Sequence, residues 1–220
     1  MRPAENRDQL VALLTEAAEI EHCLMCTYLY GAFSLKVGPD EGLSDVELAA
    51  SRRWRVETIR IANEEMLHLA LANNLLVAVG ALPHYRRPNF PVGAGYFPSD
   101  VALELAPFDE QTMDHFVYHE RPADIVERDA PRYADDKGEY QRVAPRQRLN
   151  AFGQDYDTVG QLYETIVASL ERLAAELGEP ALFCGSHEDQ LTAKDFRLPG
   201  LCAIADLAEA KAAIELIVRQ

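Results

Sequence analysis

Long apolar runs are missing from this chain of 220 residues. No stretch approaches the roughly 20 consecutive apolar residues that a helix needs to cross a bilayer. The N-terminal residues lead into an amphipathic helix and lack the apolar core of a signal peptide. We therefore expect a cytoplasmic protein that has no membrane partner.

Basic residues are scarce as well. The 21 Lys and Arg residues are outnumbered by 36 Asp and Glu residues, which gives a formal net charge of −15 at pH 7. This balance disfavours binding to nucleic acid or to an anionic membrane surface. The charge therefore argues against nucleic acid but does not itself identify a partner. We expect a small-molecule substrate, and the sequence leaves a homo-oligomer open.

Cysteine occurs only four times. Cys23 and Cys26 lie within the first predicted helix, whereas zinc sites typically pair cysteines on turns and redox pairs usually open a helix. Cys184 and Cys202 are distant in the sequence. We interpret the four cysteines as buried free thiols.

Helical periodicity and end signals predict a single domain at 1–220 with four long helices, at residues 8–35, 45–79, 158–177 and 201–220. Ser44 and Glu47 form a capping-box pattern before the second helix. Thr158 can cap the third, and Gly178 is a typical stop signal after it.

The segment between the second and third helices, about 81–156, is rich in proline, which forbids long helices. We predict a short helix at 110–118 and a polar surface excursion at 127–157. A long crossover at this point connects like ends of a bundle, as in the ferritin-like layout. The predicted fold class is therefore all-α, a ferritin-like four-helix bundle with a long, proline-rich crossover between helices 2 and 3.

Two polar side chains interrupt the apolar stripe of the second helix. Residues three apart share a helix face, so Glu65 and His68 lie beside each other, in line with Ile61, Leu69 and Leu76. Burying such groups costs several kcal/mol, roughly, unless they are paired or bound to a metal. A Glu-x-x-His on an inward helix face is the pattern that holds metal in di-iron carboxylate bundles.

Glu21 interrupts the stripe of the first helix in the same way, between Ala17 and Leu24. A lone buried Glu is more often paired with an Arg or a hydroxyl group than bound to a metal. Because Glu21 occurs together with Glu65 and His68, we favour a metal site.

Ligands from different helices must lie at the same height in the bundle. Counting along the predicted helices places Glu21 and Glu65 within about one turn of each other. The same count selects Glu164 on the third helix and Glu215 on the fourth. Neither is as central in its apolar stripe as Glu21, so a surface role remains open for both. No histidine lies at 158–177 or 201–220.

The first-helix segment IEHCLMCTYLY (20–30) and the second-helix segment IANEEMLH (61–68), followed by NNLL (73–76), resemble motifs of a known family. This is the ferritin-like domain family of iminophenyl-pyruvate dimer synthase. Shorter matches occur at 80–83, 90–91, 120–122 and 158–164. The resemblance implies a ferritin-like bundle that binds iron, with Glu21, Glu65, His68 and Glu164 as ligands.

The best-known member of that family couples oxidised indole-pyruvate imines in bisindole pigment biosynthesis, and many relatives are enzymes of secondary metabolism. Relatives continue past the segment at 214–220 into a Gly-Glu-Gly turn and a later His that would supply fourth-helix ligands. This sequence ends at Gln220. We therefore expect one well-held metal and a weak or lost second one, unless Glu215 substitutes. The expected cofactor is iron, as one or two ions, with manganese as the alternative.

Three functional hypotheses remain. The first is a non-haem iron oxidase or oxygenase that acts on a small organic substrate, with the crossover covering the site. Tyr28 and Tyr163 would then support the ligands or line the substrate pocket, although core packing is the more common role of such aromatics. The second hypothesis is a metal-binding or ferroxidase protein that handles iron itself. The third is an accessory protein with a degenerate site.

Overall fold

The computed structural model describes residues 1–93, 95–97, 102–121, 128–133 and 154–219. Within these ranges the chain forms six α-helices, which are α1 (Arg7–Ser34), α2 (Asp45–Ala78), α3 (Glu110–His119), α4 (Val159–Leu177), α5 (Glu179–Leu182) and α6 (Leu207–Val218). The described residues contain no β-strand beyond an isolated antiparallel bridge between Val92 and Leu103. The predicted all-α class is confirmed.

Four of the helices close a ring around one core. The α1 helix packs against α2 and α4, and α6 packs against α4 and α2, with the most extensive contact between α1 and α2. The shared core is apolar over most of its length, and its largest fully buried side chains include Leu10, Leu14, Tyr28, Leu71, Leu75, Leu76, Leu162, Tyr163 and Ile166. The arrangement is the predicted helical bundle.

The ends of α1 and α2 follow from local hydrogen bonds. The Asn6 side chain accepts from the backbone N–H of Gln9 at 3.0 Å and begins α1. Ser44 and Glu47 form a complete capping box at the start of α2. Gly80, with φ of 79°, follows α2 in the left-handed conformation that glycine adopts without strain. Both helices end one residue before the predicted positions.

The last helix begins at Leu207 instead of residue 201, which corrects the predicted boundary. Residues just before it satisfy their backbone groups outside a helix. Gln190 bonds both the N–H and the C=O of Ile204, at 2.7 and 2.8 Å, and Asn74 donates to the carbonyl of Cys202 at 2.7 Å. Asp206 then caps α6 by accepting from Glu209 N. These long-range side-chain bonds could not be read from the helical periodicity.

Two buried acids on α1 fasten the crossover to the bundle. Glu19 pairs with His84 Nε2 at 3.0 Å and accepts from the Tyr96 hydroxyl at 3.0 Å. Glu16 accepts from the Tyr156 hydroxyl at 2.8 Å. Both acids therefore have the hydroxyl partners expected of structural carboxylates. The surface excursion predicted at 127–157 lies largely outside the described residues.

No helix in the described part of the chain is long and apolar enough to span a membrane. The cysteines are free, but only Cys23 is buried, while Cys26 is half-buried and Cys184 and Cys202 are exposed. The expectation of four buried thiols is therefore wrong for Cys26, Cys184 and Cys202. Cys184 and Cys202 are exposed because they lie in loops rather than on a core face of a helix.

Gly185 provides a test of how the α5–α6 connection sits on α2. Its N–H donates to Ala78 O at 3.0 Å, and an added Cβ would lie 1.7 Å from Val77 O. We expect Gly185→Ala to destabilise the fold by about 1–3 kcal/mol, because the backbone at Val77 or at residue 185 must move to relieve the overlap. At Gly160 the nearest atom to a Cβ is 3.6 Å away, so Gly160→Ala is the matched control. Urea unfolding that shows equal losses for both variants would contradict this packing.

Candidate metal centre

Two helices place three ligand-type side chains at one point in the core. Glu21 comes from α1, and Glu65 and His68 come from adjacent turns of α2. His68 Nδ1 lies 3.5 Å from Glu21 Oε2 and 3.4 Å from Glu65 Oε1. One ligand atom from each residue lies within 4.8 Å of the other two. The spacing of Glu65 and His68 therefore does produce a convergent pair, with Glu21 facing it.

The three side chains are almost completely removed from solvent. Their exposed fractions are 2% for Glu21, 4% for Glu65 and 6% for His68. Glu21 Oε1 accepts a hydrogen bond of 2.6 Å from the Tyr163 hydroxyl on α4. Burial at this level makes any unmatched charge costly, so the protonation of the three groups is coupled.

The pKa shifts of Glu21, Glu65 and His68 indicate which of the three groups carry protons. Burial lowers the pKa of His68, but hydrogen bonding to Glu21 and Glu65 and their charges outweigh it and raise the pKa to about 11. Burial and then the charge of Glu21 raise the pKa of Glu65 well above its ordinary value. Burial alone would raise the pKa of Glu21, yet the hydrogen bond and charge of His68 hold this pKa below the ordinary value of a glutamate. Near neutrality the trio therefore pairs a Glu21 carboxylate with a His68 imidazolium beside a neutral Glu65.

Glu65 carries the observation that best distinguishes a metal site from a simple ion pair. Its Oε2 atom is buried and has no hydrogen-bond partner among the described residues. A carboxyl oxygen without a partner in the interior is uncommon and calls for an explanation. Two carboxylates and an imidazole form an oxygen- and nitrogen-rich donor set that suits iron or manganese. The residues therefore fit a divalent metal ion, with Glu65 Oε2 available as a ligand.

A cavity of about 380 Å³ opens directly onto the trio. Its wall includes all three ligand candidates, Tyr163 and Glu164 from α4, and residues at the C-terminal end of α6. A second cavity, of about 270 Å³, reaches Glu65 and His68 from the side of Arg60 and Glu64. The candidate centre is thus buried but accessible, as a reactive metal requires.

The two depth-matched acids occupy different positions. Glu164 lies on α4 at the wall of the larger cavity, although its residue is exposed. The Glu215 side chain is 57% exposed, pairs with Arg219, and is not part of the trio or of the cavity wall. Glu215 lies near the C-terminal end of α6, where Ile217 and Val218 line the cavity. It is therefore close to the site along the helix, but its side chain lies on the exposed face.

The two tyrosines have different partners. Tyr163 touches the trio directly through Glu21, whereas the Tyr28 hydroxyl donates to Glu120 at the end of α3. Both rings are completely buried, and burial is the main cause that raises the pKa of each phenol well above its ordinary value. Tyr163 is therefore placed to orient a ligand, and Tyr28 packs in the core and orients a cavity carboxylate.

Sequence reasoning did not select Glu120 or His119 as site residues, yet both line the larger cavity. Glu120 also borders the second cavity, beside Glu65 and His68. Burial raises its pKa, and the hydrogen bond from Tyr28 opposes that shift only in part. The available signal was the 120–122 match to the family, but the long crossover hid its position relative to the bundle.

A buried Glu–Glu–His set in a four-helix bundle defines the class of carboxylate-rich helical bundle proteins. The family model described as Ferritin-like matches residues 14–220 of this chain. The match spans most of the sequence, so the protein belongs to the ferritin-like family. A crystal structure of a ferritin like protein from Caulobacter vibrioides has the same fold, with a TM-score of 0.63 and 18% identity over 99% of this chain and 68% of that one.

Two curated relatives are similar over about half of the chain. The 2-imino-3-(indol-3-yl)propanoate dimerase of Chromobacterium violaceum is 33% identical over an alignment of 135 residues that covers 54% of this chain. The dichlorochromopyrrolate synthase of Lentzea aerocolonigenes is 28% identical over an alignment of 148 residues that covers 56% of this chain. The similarity covers only 14% of each relative. These comparisons support the family resemblance seen in the sequence.

Metal affinity at this site should rise with pH. A metal binds the deprotonated ligands, and the raised pKa values of His68 and Glu65 mean that both carry protons near neutrality. Around neutral pH we expect metal affinity to increase with pH, by about tenfold per pH unit for each proton displaced. Chelator competition with manganese(II) measures how the logarithm of the affinity depends on pH. In Glu65→Gln this dependence should correspond to about one proton fewer than in wild type. Affinity that is independent of pH would contradict the assigned protons.

Removing the Tyr163 hydroxyl should loosen Glu21 without deleting a ligand. Partners that orient metal ligands typically contribute about 10–100-fold to affinity, so we expect Tyr163→Phe to weaken iron(II) binding by about that factor. Tyr156→Phe is the matched control, because its hydroxyl also serves a buried carboxylate, Glu16, outside the trio. Equal iron affinities in the two variants would show that Tyr163 does not orient the site.

Proposed function

We propose that this protein is a non-haem iron enzyme of the oxidase or oxygenase type that acts on a small organic molecule in secondary metabolism. Glu21, Glu65 and His68 would hold the metal, and Glu164, which lines the same cavity from α4, would be a further ligand. The observation that carries the proposal is a buried trio with a partnerless carboxyl oxygen, facing a cavity large enough for a small molecule. The names of the two curated relatives, both for reactions of small organic molecules, support the same class.

The residues divide the work of such a site. Glu21 and Glu65 neutralise the charge of a divalent cation, and Tyr163 fixes the orientation of Glu21. Bound iron supplies redox chemistry with oxygen through positions that the protein ligands leave open. We infer one well-held metal per chain, because α6 brings no carboxylate to the trio among the described residues. Because the chain matches only 14% of each curated relative, their complete reactions are not assigned to it.

His68→Ala tests the centre itself. It removes the imidazole that the two carboxylates share, so we expect the iron content of anaerobically purified protein to fall by at least about tenfold. His187→Ala changes an exposed histidine in a 3₁₀ turn and should retain wild-type iron. Metal analysis by mass spectrometry measures both. Unchanged iron and manganese in His68→Ala would show that the trio is not the metal site.

Spectroscopy before and after exposure to oxygen separates the enzyme from the iron-handling alternative. An iron enzyme should show a change that saturates near one iron per chain and responds to organic ligands in the cavity. Continued oxidation of many iron equivalents per chain, with no effect of organic ligands, would instead indicate a ferroxidase. Wild-type protein that takes up neither iron nor manganese would indicate an accessory protein with a degenerate site.

A further inference from the structure

A line of hydrogen-bonded side chains runs from the described segment 128–133 to the wall of the metal-site cavity. Its members are Asp129, His115 and His119, and none belongs to the proposed ligand set. His119 lines the same cavity as the trio. The line therefore ends where a bound substrate would react.

The outer link joins Asp129 to His115. His115 is 2% exposed, and its Nδ1 lies 2.8 Å from both carboxylate oxygens of Asp129. Its ring stacks on Tyr133, with centroids 3.7 Å apart and an interplanar angle of 13°. The carboxylate accepts the Nδ1 proton, which leaves Nε2 of the neutral ring as a hydrogen-bond acceptor.

The inner link joins the two histidines. His115 and His119 are neighbours on successive turns of α3, and their Nε2 atoms are 3.0 Å apart. At that distance one of the two nitrogens carries the proton and the other accepts it. Because His119 Nε2 is engaged with His115, a further hydrogen bond of the His119 ring would use Nδ1.

We propose that His119 exchanges protons with the substrate in this cavity, and that His115 and Asp129 are positioning residues that take up the resulting charge. The proposal rests on the function proposed above, because it assumes chemistry at the Glu21–Glu65–His68 centre.

The proton balance of the relay is simple. In the resting state His119 donates its Nε2 proton to His115 Nε2, and His119 Nδ1 is unprotonated. When the substrate gives a proton to His119 Nδ1, the Nε2 proton passes to His115. His119 remains neutral, and His115 becomes an imidazolium held by Asp129. Returning the proton reverses both transfers.

The surroundings of His119 disfavour a positive charge on its own ring. Burial, followed by the charges of His115 and Arg121, lowers the pKa of His119 well below its ordinary value. The Tyr118 ring lies 5.8 Å from the His119 ring. Asp157 and His119 both line a third, smaller cavity. Asp129 contacts His115 instead. A lone His119 would thus be a poor base. In the proposed relay the positive charge would instead be carried by His115, beside the Asp129 carboxylate.

A purely structural role accounts for less of the geometry. The segment 128–133 is already held on α3 by the ion pair of Arg132 with Asp109, at 2.6 Å, and by the contact of Tyr133 with Thr112, at 3.2 Å. An anchor would need His115 alone. The pairing of His115 with a second imidazole at the cavity wall goes beyond what that anchoring requires.

The test counts protons with 4-nitrocatechol, a coloured weak acid that binds iron(II) through two oxygens. It is titrated anaerobically into iron(II)-loaded protein at neutral pH, by calorimetry in two buffers with different ionisation enthalpies. Wild-type protein should release about one proton fewer per bound probe than His119→Gln, because the relay absorbs it. Asp129→Asn, which keeps both rings, should lose the same uptake, and the exposed control His187→Gln should match wild type.

The outcomes separate this proposal from the one on which it rests. Equal proton counts in wild type and His119→Gln, with the probe still bound, would overturn the relay and leave the metal centre intact. Uptake that disappears in His119→Gln but persists in Asp129→Asn would overturn the three-residue chain. Wild-type protein with no iron-dependent binding of 4-nitrocatechol would overturn the metal site and the relay together.

Discussion

The contact of one imidazole with two carboxylates in the interior is the constraint on which the rest of the structure depends. Three ionisable groups can remain buried only if their charges and protons balance. Here Glu21 and His68 compensate each other, and Glu65 is held neutral by burial and by the charge of Glu21. The α1–α2 pair must therefore keep one register, since a shift of either helix would separate the partners.

Sequence patterns predicted the parts of this structure that depend on local spacing. The capping box at Ser44 and the placement of Glu65 and His68 on one helix face both require only near neighbours. Glu21 was found for the same reason, as an acid in an apolar stripe. The helical bundle followed from four such stripes and a long crossover, and the comparisons confirm the family.

Long-range contacts defined the limit of prediction. Residues 201–206 are not helical because Gln190 and Asn74 bind their backbone, and no periodicity reports such bonds. These bonds displaced the start of α6 to Leu207. Glu120 and His119 come from the crossover, whose path over the bundle is fixed by Glu19 and other distant partners. Their place at the cavity became visible only once the chain was folded.

The internal charge balance of the trio also affects how the protein would mature. Many small metal domains cannot fold until the ion arrives, because their ligands repel one another or lack other partners. Here the protonated His68 lies between Glu21 and Glu65 and supplies the positive charge that a metal ion would otherwise provide. This balance would let the chain fold without the ion, and a bound metal would then replace protons. Metal loading at the proposed site would follow folding and depend on the supply of the ion.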